Sequence, residues 1–397
     1  MNKTIIYKNI AVVFLWVMSI QYIPLEGYGV SNLKFSLMCA SPLIWILSYK
    51  TFSKGFILGL LFIVSIIFSS LYNEQAIRFS SLGYKIAFIV MFITYYDLIY
   101  VRQALQLETF KRFIKNLIYA YAICLIIQQL FIIIGLIEFP LINLVTFIGR
   151  GIGANSLSLE PSHSARILTV AMLVLLRLEE VSKPEINVTY KSFYRNNKIL
   201  LLLFLWCMLT MGSGTAFIGL LILSSYFIKR QYFLRLLPIL LLIAAITLKI
   251  YYEPLERAIN TIVAITTLDV NYIKTTDYSA AARIVPLINT IKFIDFTEIS
   301  TWLGNGIDTN INALYLSEEQ FIGGINDYGF ICFLFSLFLF FGCCTKKIFS
   351  IETLAFVVLL SASINNVAYN WCILLLFTTS KYFIDKSPKK VKPIFLK

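Results

Sequence analysis

Long apolar runs follow one another along most of the chain, separated by short polar segments. A transmembrane helix needs about 20 apolar residues, and runs of roughly 17 to 25 such residues predict about twelve spans. The predicted spans are approximately 9–25, 33–49, 55–71, 82–101, 115–137, 164–179, 198–212, 214–228, 234–252, 322–342, 350–366 and 368–384. The runs are continuous and do not alternate, which favours helices over a β-barrel. The pattern predicts an all-α polytopic membrane protein with a single transmembrane domain over residues 1–397.

Two predicted connections between spans are long and contain polar residues. The first covers residues 138–164, and the second covers residues 253–321, which is far longer than the usual connection of about 4–6 residues. Within the second, Ser279 to Phe296 has apolar residues at helical spacing and predicts a helix on or near the membrane surface. Pro286 is awkward inside such a helix, so its start is expected nearer residue 285.

One further connection is very short. Only Gly212-Ser213-Gly214 separates the seventh and eighth predicted spans. A continuous helix through this point would exceed about 30 residues, whereas glycine and serine mark turns. The sequence therefore predicts a tight hairpin there.

The composition agrees with a membrane protein and excludes an ordinary soluble domain. Hydrophobic residues make up 59% of the chain and charged residues 14%, whereas a soluble domain is about a quarter charged. The mean hydropathy is +0.80. The net charge of +13 is explained by basic residues in loops on one side of the membrane, and no soluble basic segment contains interleaved aromatics. Nucleic acid is therefore not an expected partner.

Lysine and arginine predict the orientation of the chain. Roughly 24 of the 34 basic residues fall on one side of the predicted spans, and this side is expected to be cytoplasmic. The distribution puts both termini in the cytoplasm, which requires an even number of spans. The connections 138–164 and 253–321 then lie on the noncytoplasmic side.

Cysteine and histidine limit the metal and redox chemistry. The seven cysteines fall inside or at the ends of apolar runs, as buried small side chains do, and do not form a disulfide pattern. The chain has one histidine and no paired Cys-x-x-Cys motif. We therefore expect no structural metal site and no cofactor, while a bridging metal held by scattered acids of the connection 253–321 stays open as an alternative.

The candidate chemistry is concentrated in a glycine-rich polar stretch, Gly149 to Arg166. Pro161 suits the first turn of a helix, which places Glu160 near the cap and Ser162 beside free backbone N–H groups. His163 and Arg166 share one face of this helix at a spacing of three residues. An acid, an imidazole and a guanidinium within two turns predict a functional site. In the alternative interpretation, His163 only hydrogen-bonds a neighbouring helix and Arg166 extends its side chain toward the aqueous interface.

Three further arginines are candidates for binding an anion on the same side. Arg150 lies between glycines that allow close backbone approach, although the same glycines fit a merely flexible loop. Arg283 is a lone basic residue on an apolar segment of the long connection, and Arg78 lies between the third and fourth spans. Asp97 is expected to make a structural bond to a neighbouring helix.

Arginines with one histidine and one glutamate suit an anionic, lipid-linked substrate. Arginines would hold a diphosphate leaving group and neutralise the charge that develops on it. His163 or Glu160 would act as a general base on an attacking sugar hydroxyl. The residues leave open which of the two is the base.

Several short motifs resemble one known family. They are Leu159-Glu160-Pro161-Ser162-His163, Thr210-Met211-Gly212-Ser213-Gly214-Thr215, Asp277-Tyr278-Ser279 followed by Arg283, Trp302-Leu303-Gly304-Asn305-Gly306, and Asp327-Tyr328-Gly329. Together with the late long connection, their order resembles the Wzy-type O-antigen polymerases, which are related to the O-antigen ligases. Leu159 stands where the family commonly has serine.

The resemblance implies a bacterial inner-membrane glycosyltransferase of the C-type fold. Such a protein transfers a growing glycan from undecaprenyl diphosphate onto the next lipid-linked repeat unit at the periplasmic face. Its partners would be those lipid-linked donors and acceptors and membrane lipids, and binding of a chain-length regulator stays open. By this resemblance, Arg283 and the arginines near Glu160 would bind diphosphate, and Asp277 and Asn305 would contact the substrate.

Two other functions remain as alternatives. An O-antigen ligase would use the same donor with lipid A core as acceptor. A flippase of the same lipid-linked sugar would belong to a different class, and the long connection and the lack of an internal repeat count against it.

Overall fold

The architecture is described from a computed structural model. It describes residues 3–21, 31–73, 78–135, 152–182, 190–227, 260, 263–276, 278–306, 321–365 and 367–387. Over these ranges the chain forms α-helices and a short 3-10 turn, and no strand is present in them.

The first part of the described chain is built of long helices. They are α1 (Lys3–Ser19), α2 (Asn32–Ser48), α3 (Lys54–Tyr72), α4 (Phe79–Tyr100), α5 (Leu107–Ile134) and α6 (Pro161–Ser182). Ser31 and Ser53 begin α2 and α3, since each side-chain oxygen accepts a hydrogen bond from the backbone N–H three residues on. Gly135, with a φ of +82°, ends α5 in the left-handed conformation that glycine adopts most easily.

Shorter helices follow in the second part. They are α7 (Tyr190–Asn196), α8 (Lys198–Thr210), α9 (Gly214–Phe227), α10 (Val270–Thr276), α11 (Tyr278–Phe293), α12 (Ile299–Leu303), α13 (Ile325–Cys343), α14 (Ile351–Leu360) and α15 (Ala368–Lys386), with a 3-10 turn at Ile322–Gly324. The predicted hairpin at Gly212-Ser213-Gly214 is confirmed, because α8 ends and α9 begins at it.

Helices of this chain are long and apolar enough to cross a membrane. Within the described ranges, four meet that condition over 18 or more residues: Lys54–Tyr72, Phe79–Tyr100, Leu107–Ile134 and Ile322–Cys343. Five shorter apolar helices accompany them. The predicted all-helical membrane class is confirmed. Each predicted span overlaps a helix except 234–252, which lies outside the described residues, and the count of about twelve spans stays a prediction.

Several boundaries differ from the sequence prediction. The first helix starts at Lys3 and not near residue 9, because its opening turns contain lysines and an asparagine that a search for apolar runs passes over. The predicted span 350–366 is helical only to Leu360. Ser361 and Ala362 then have positive φ values of 53° and 51°, so the helix stops inside the apolar run.

A helix, α11, is present in the long connection where the sequence predicts one, and its position at the membrane surface stays a prediction. The expected later start is wrong, because α11 begins at Tyr278 and contains Pro286 in its interior. Ala281, Val285 and Ile288 of α11 are buried in a small separate core that also includes Ile273 of α10. Burial of this apolar face supports the helix despite the backbone hydrogen bond that the proline removes.

The main core is organised around α15. This helix packs against α1, α4, α6 and α13, while α3 packs against α13 and α2 against α4. Trp371 of α15 is fully buried and stacks on Phe88 of α4 with ring centroids 5.5 Å apart. Such an aromatic pair contributes about 0.5–1.5 kcal/mol beyond its buried area. We call the end of the bundle where α2, α4 and α6 begin the upper end.

Candidate functional site

The candidate site begins at the first turn of α6. Pro161 is the first helical residue, as predicted, and the carbonyl of Glu160 accepts hydrogen bonds from the backbone N–H groups of His163 and Ser164. This turn sets His163 and Arg166 on one face of the helix, directed toward the first turn of α15. Two of the predicted catalytic side chains are therefore adjacent to the same neighbouring helix.

Arg166 is buried, with 6% of its surface exposed. It donates a hydrogen bond from Nη1 to the hydroxyl of Tyr369, and its Cζ lies 4.6 Å from the centroid of that ring. Its Nε is buried without a hydrogen-bond partner, and none of the described carboxylates lies within 4.0 Å of the guanidinium. A buried cation without a carboxylate is costly in free energy, and such a group marks a site that can bind an anion.

His163 also lies against Tyr369. The two ring centroids are 4.3 Å apart, and His163 Nε2 is 3.9 Å from Glu160 Oε2. Ser162 donates a hydrogen bond of 3.1 Å to the same carboxylate oxygen. The Glu160 side chain is 54% exposed, against 16% for that of His163. Tyr369 thus contacts both the imidazole and the guanidinium, while Glu160 is the most accessible member of the group.

The segment just before α6 is buried and not helical. Asn155, Ser156 and Ser158 are almost fully inaccessible. Gln128 of α5 binds Ser156 twice, at 2.8 Å to its N–H and 3.1 Å to its carbonyl, and Leu157 accepts a hydrogen bond of 2.9 Å from the backbone of Gln21. Irregular backbone is tolerated among apolar helices only where other protein groups bind its polar atoms. This half of the glycine-rich stretch is therefore a fixed wall of the site.

A second non-helical segment lies between α14 and α15. The carbonyl of Ile364 in this segment accepts a hydrogen bond of 2.7 Å from Lys85 Nζ. Lys85, on the second turn of α4, is 5% exposed, and its ammonium lies 4.7 Å from the centroid of the Tyr328 ring. No described carboxylate lies within 4.0 Å of it. Lys85 and Arg166 therefore bind the two ends of one segment, Ile364 to Tyr369.

Sequence reasoning missed Lys85 and Tyr369. Lys85 carried a signal, because it is a charged residue inside the predicted span 82–101, and such residues are functional candidates by default. Tyr369 carried none, since the chain has 23 tyrosines and only the fold selects the one beside His163.

The remaining predicted site residues are spread more widely. Arg78 is exposed at the start of α4, at the upper end. Arg150 and Asp277 lie outside the described residues, and for Arg283 the structure describes only its place in α11. Asn305 lines a cavity of about 320 Å³ whose walls include Asp295 and Glu298.

The structure does not join these residues to the first turn of α6 through packed helices. The helix before Asn305, α12, packs on α3 and α13, whereas α6 packs on α5, α9 and α15. The two groups of predicted site residues are thus supported by different parts of the bundle. Near Asn305, hydrogen bonds from the N–H and hydroxyl of Thr297 lower the pKa of the Asp295 carboxyl.

Two of the short motifs do meet. The backbone N–H of Asn305 donates a hydrogen bond of 2.7 Å to the carbonyl of Asn326. Gly304 and Gly329 both have positive φ, of 78° and 82°. A Cβ on Gly304 would lie within 3.0 Å of the backbone of Asp327 and Gly329, and one on Gly329 within 3.0 Å of the backbone of Trp302 and Leu303. Ser69 of α3 donates a 2.6 Å hydrogen bond to Leu303. The glycines are required because two backbones are in direct contact here.

The opposite end of α6 is held by ion pairs. Arg177 Nε lies 2.7 Å from Glu352 Oε1 of α14, and its Nη1 lies 3.1 Å from Glu180. Lys111 of α5 lies 3.0 Å from Glu179. Cations at this end have carboxylate partners, in contrast to Lys85 and Arg166 at the upper end. Asp97, also away from the upper end, accepts a hydrogen bond of 2.7 Å from Trp45, which confirms the structural bond predicted for it.

The described part of the chain contains no group of three His, Cys, Asp or Glu side chains that could hold a metal ion. No protein-family model, curated protein or solved structure matches the chain. The fold therefore defines the class as an all-helical membrane protein, with a buried cationic site at one end of its bundle.

Proposed function

We propose that this protein is a polysaccharide polymerase of the Wzy type. It would transfer a glycan chain from undecaprenyl diphosphate onto the next lipid-linked repeat unit. In this proposal the chain has about twelve spans in the bacterial inner membrane, with both termini in the cytoplasm and the upper end of the bundle facing the periplasm.

The observation that supports the proposal best is the environment of Arg166. Its guanidinium is buried beside Tyr369 and has no carboxylate within 4.0 Å in the part of the chain that the structure describes. An anionic ligand would supply the missing negative charge, and arginine binds phosphate oxygens through two parallel hydrogen bonds. The adjacent His163 and Glu160 supply groups that can accept a proton.

The proposed reaction uses these groups in one displacement. The hydroxyl oxygen of the acceptor sugar forms a bond to the anomeric carbon of the donor, while the bond from that carbon to the diphosphate oxygen breaks. The hydroxyl proton passes to His163, and the electron pair leaves with the diphosphate, whose charge Arg166 stabilises. Glu160, 3.9 Å from His163, would orient the imidazole and stabilise it when protonated.

The test is to compare surface polysaccharide from cells that carry defined variants. Arg166→Met and His163→Gln should abolish long chains and leave a core capped with a single repeat unit. Arg166→Lys, which keeps a charge but not the planar fork, should retain short chains. Ile46→Trp, on a lipid-facing residue of α2 that is 63% exposed, is the matched control and should give the wild-type ladder. Membrane levels of each variant show whether it inserts.

Other results would replace the proposal. A wild-type ladder from inserted Arg166→Met would remove that residue from the mechanism. Loss of all surface glycan with lipid-linked polymer accumulating in a deletion strain would identify a ligase. Unit-length intermediates trapped on the cytoplasmic leaflet would identify a flippase.

A further inference from the structure

Helices α2 and α4 are tied together in their lower halves and separate toward the upper end. Thr94 of α4 donates a hydrogen bond of 3.0 Å to the carbonyl of Ser41, and Trp45 donates one of 2.7 Å to Asp97. Beyond α4, Arg102 donates one of 2.6 Å to the carbonyl of Ser48. These bonds fix the spacing of the two helices, so the opening above them is already formed.

The opening is a groove of about 720 Å³. It spans Asn32 to Pro42 on α2 and Phe79 to Val90 on α4, which is about 15 Å along each helix. Polar side chains, Asn32 and Ser80, line its upper end, and below them the walls are mainly aliphatic and aromatic. The volume falls within the roughly 300–1,000 Å³ of ordinary ligand sites.

Gly83 keeps the groove wide. A Cβ at this position would meet no atom within 4 Å, although the residue lies inside α4. Glycine in a helix interior costs about 1 kcal/mol relative to alanine. No tight contact explains the glycine here, so its effect is to leave space in the groove wall.

We propose that this groove binds the isoprenoid chain of the lipid-linked substrate, an inference that rests on the proposed function. Phe35 and Phe79 at its rim are 54% and 77% exposed, as expected of residues that face lipid. A groove of about 15 Å can hold only the part of a long isoprenoid chain that lies nearest the phosphate.

The charge at the groove supports a phosphate-bearing chain. Arg78 is exposed directly before Phe79, at the end where the lining becomes polar. A phosphate there would also meet the N-terminal end of α4, which favours negative charge. A chain of aromatic contacts connects the inner wall of the groove to the candidate site. The ring centroids of Tyr84 and Phe88 are 4.8 Å apart, and Phe88 stacks on Trp371, two residues after Tyr369.

The test measures lipid binding and not polymerisation. Full-length protein in detergent micelles is mixed with equal amounts of undecaprenyl phosphate and phosphatidylglycerol, and retained lipid is measured by native mass spectrometry. Wild type should retain undecaprenyl phosphate preferentially. Gly83→Trp, which fills the groove, should lower its retention at least tenfold, and Gly83→Leu should lower it in part. Ile46→Trp should bind as wild type does.

A second arm separates the chain from its phosphate. Arg78→Gln should weaken retention of undecaprenyl phosphate severalfold and leave retention of undecaprenol unchanged. Equal retention of undecaprenyl phosphate by wild type and the Gly83 variants would overturn the proposal. Equal retention of both lipids by wild type would also overturn it, because the groove would then be an ordinary lipid contact. If Gly83→Trp changed only the amount of dimer, the groove would be an interface between two copies of the chain. A ligase phenotype in the deletion strain would refute the polymerase and leave this binding result standing.

Discussion

Arg166 and Tyr369 interact in two ways at once. The guanidinium donates a hydrogen bond to the hydroxyl, and its carbon atom lies 4.6 Å from the centroid of the same ring. This pair joins α6 to α15 beside His163, whose ring centroid lies 4.3 Å from that of Tyr369.

Two substitutions of Tyr369 measure the contributions of the hydrogen bond and of the ring contact separately. Tyr369→Phe keeps the ring but removes the oxygen that accepts from Arg166, and should lower the free energy of unfolding by about 1.5–3 kcal/mol, the range for a hydrogen bond to a charged group. Tyr369→Leu also removes the ring contacts and should lower the free energy of unfolding further. Thermal unfolding of the purified protein in micelles measures both. An equal loss in the two variants would mean that the ring contacts contribute nothing.

Lys85 should be a residue whose removal stabilises the protein. The buried Lys85 ammonium has none of the described carboxylates within 4.0 Å and carries an effective desolvation cost of several kcal/mol, whereas its bond to Ile364 returns about 1–3 kcal/mol. Lys85→Met, similar in shape and uncharged, should therefore raise the free energy of unfolding by about 1 kcal/mol or more. Lys85→Ala leaves a cavity and should lower it. If both substitutions lowered the melting temperature equally, Lys85 would be a purely structural contact.

Arg177 and Glu352 should be strongly coupled in their contributions to the free energy of unfolding. Removing one partner leaves a buried charge unpaired and should cost about 3–5 kcal/mol in either Arg177→Met or Glu352→Leu. The double variant should be less destabilised than either single variant, because no unpaired charge remains at that contact. A double-mutant cycle from unfolding in denaturant measures the coupling. Additive losses would show that the pair does not interact energetically.

Two glycine positions form a matched pair for testing backbone contact. Gly329→Ala places a Cβ against the carbonyl of Trp302 at a residue with a φ of +82°, and should cost at least about 3 kcal/mol and reduce membrane levels. Gly83→Ala adds the same atom to open space within a helix and should be neutral or stabilising by up to about 1 kcal/mol. Western blots of membranes and melting curves compare the two. Similar behaviour of both variants would refute the close approach of the two backbones.

Periodicity predicted the helices well, because burial of apolar runs depends on local sequence. It placed α8 and α9 within a few residues, and Pro161 located the start of α6. It could not foresee the break after Leu360, since residues 350–366 are apolar enough to continue as helix. Beyond the break, the carbonyl of Ile364 accepts a hydrogen bond from Lys85, more than 270 residues earlier in the chain.

Separation along the chain decides which residues of the candidate site the sequence can predict. Glu160, His163 and Arg166 are close in sequence, so helical spacing was enough to group them. Tyr369 and Lys85 come from other helices, and only tertiary packing brings them near. The burial of Asn155 and Ser156 was also missed, because glycine, serine and asparagine are typical of exposed loops until a partner such as Gln128 binds their backbone.

The contacts of α15 have a consequence for biosynthesis. Ser19 of α1 lies 3.4 Å from Cys372, and the Tyr95 hydroxyl of α4 lies 2.6 Å from Thr379. Both partners belong to the last of the described helices, so neither contact can form before α15 has been translated. The packing of α1 and α4 in the described bundle is therefore completed only after synthesis of α15.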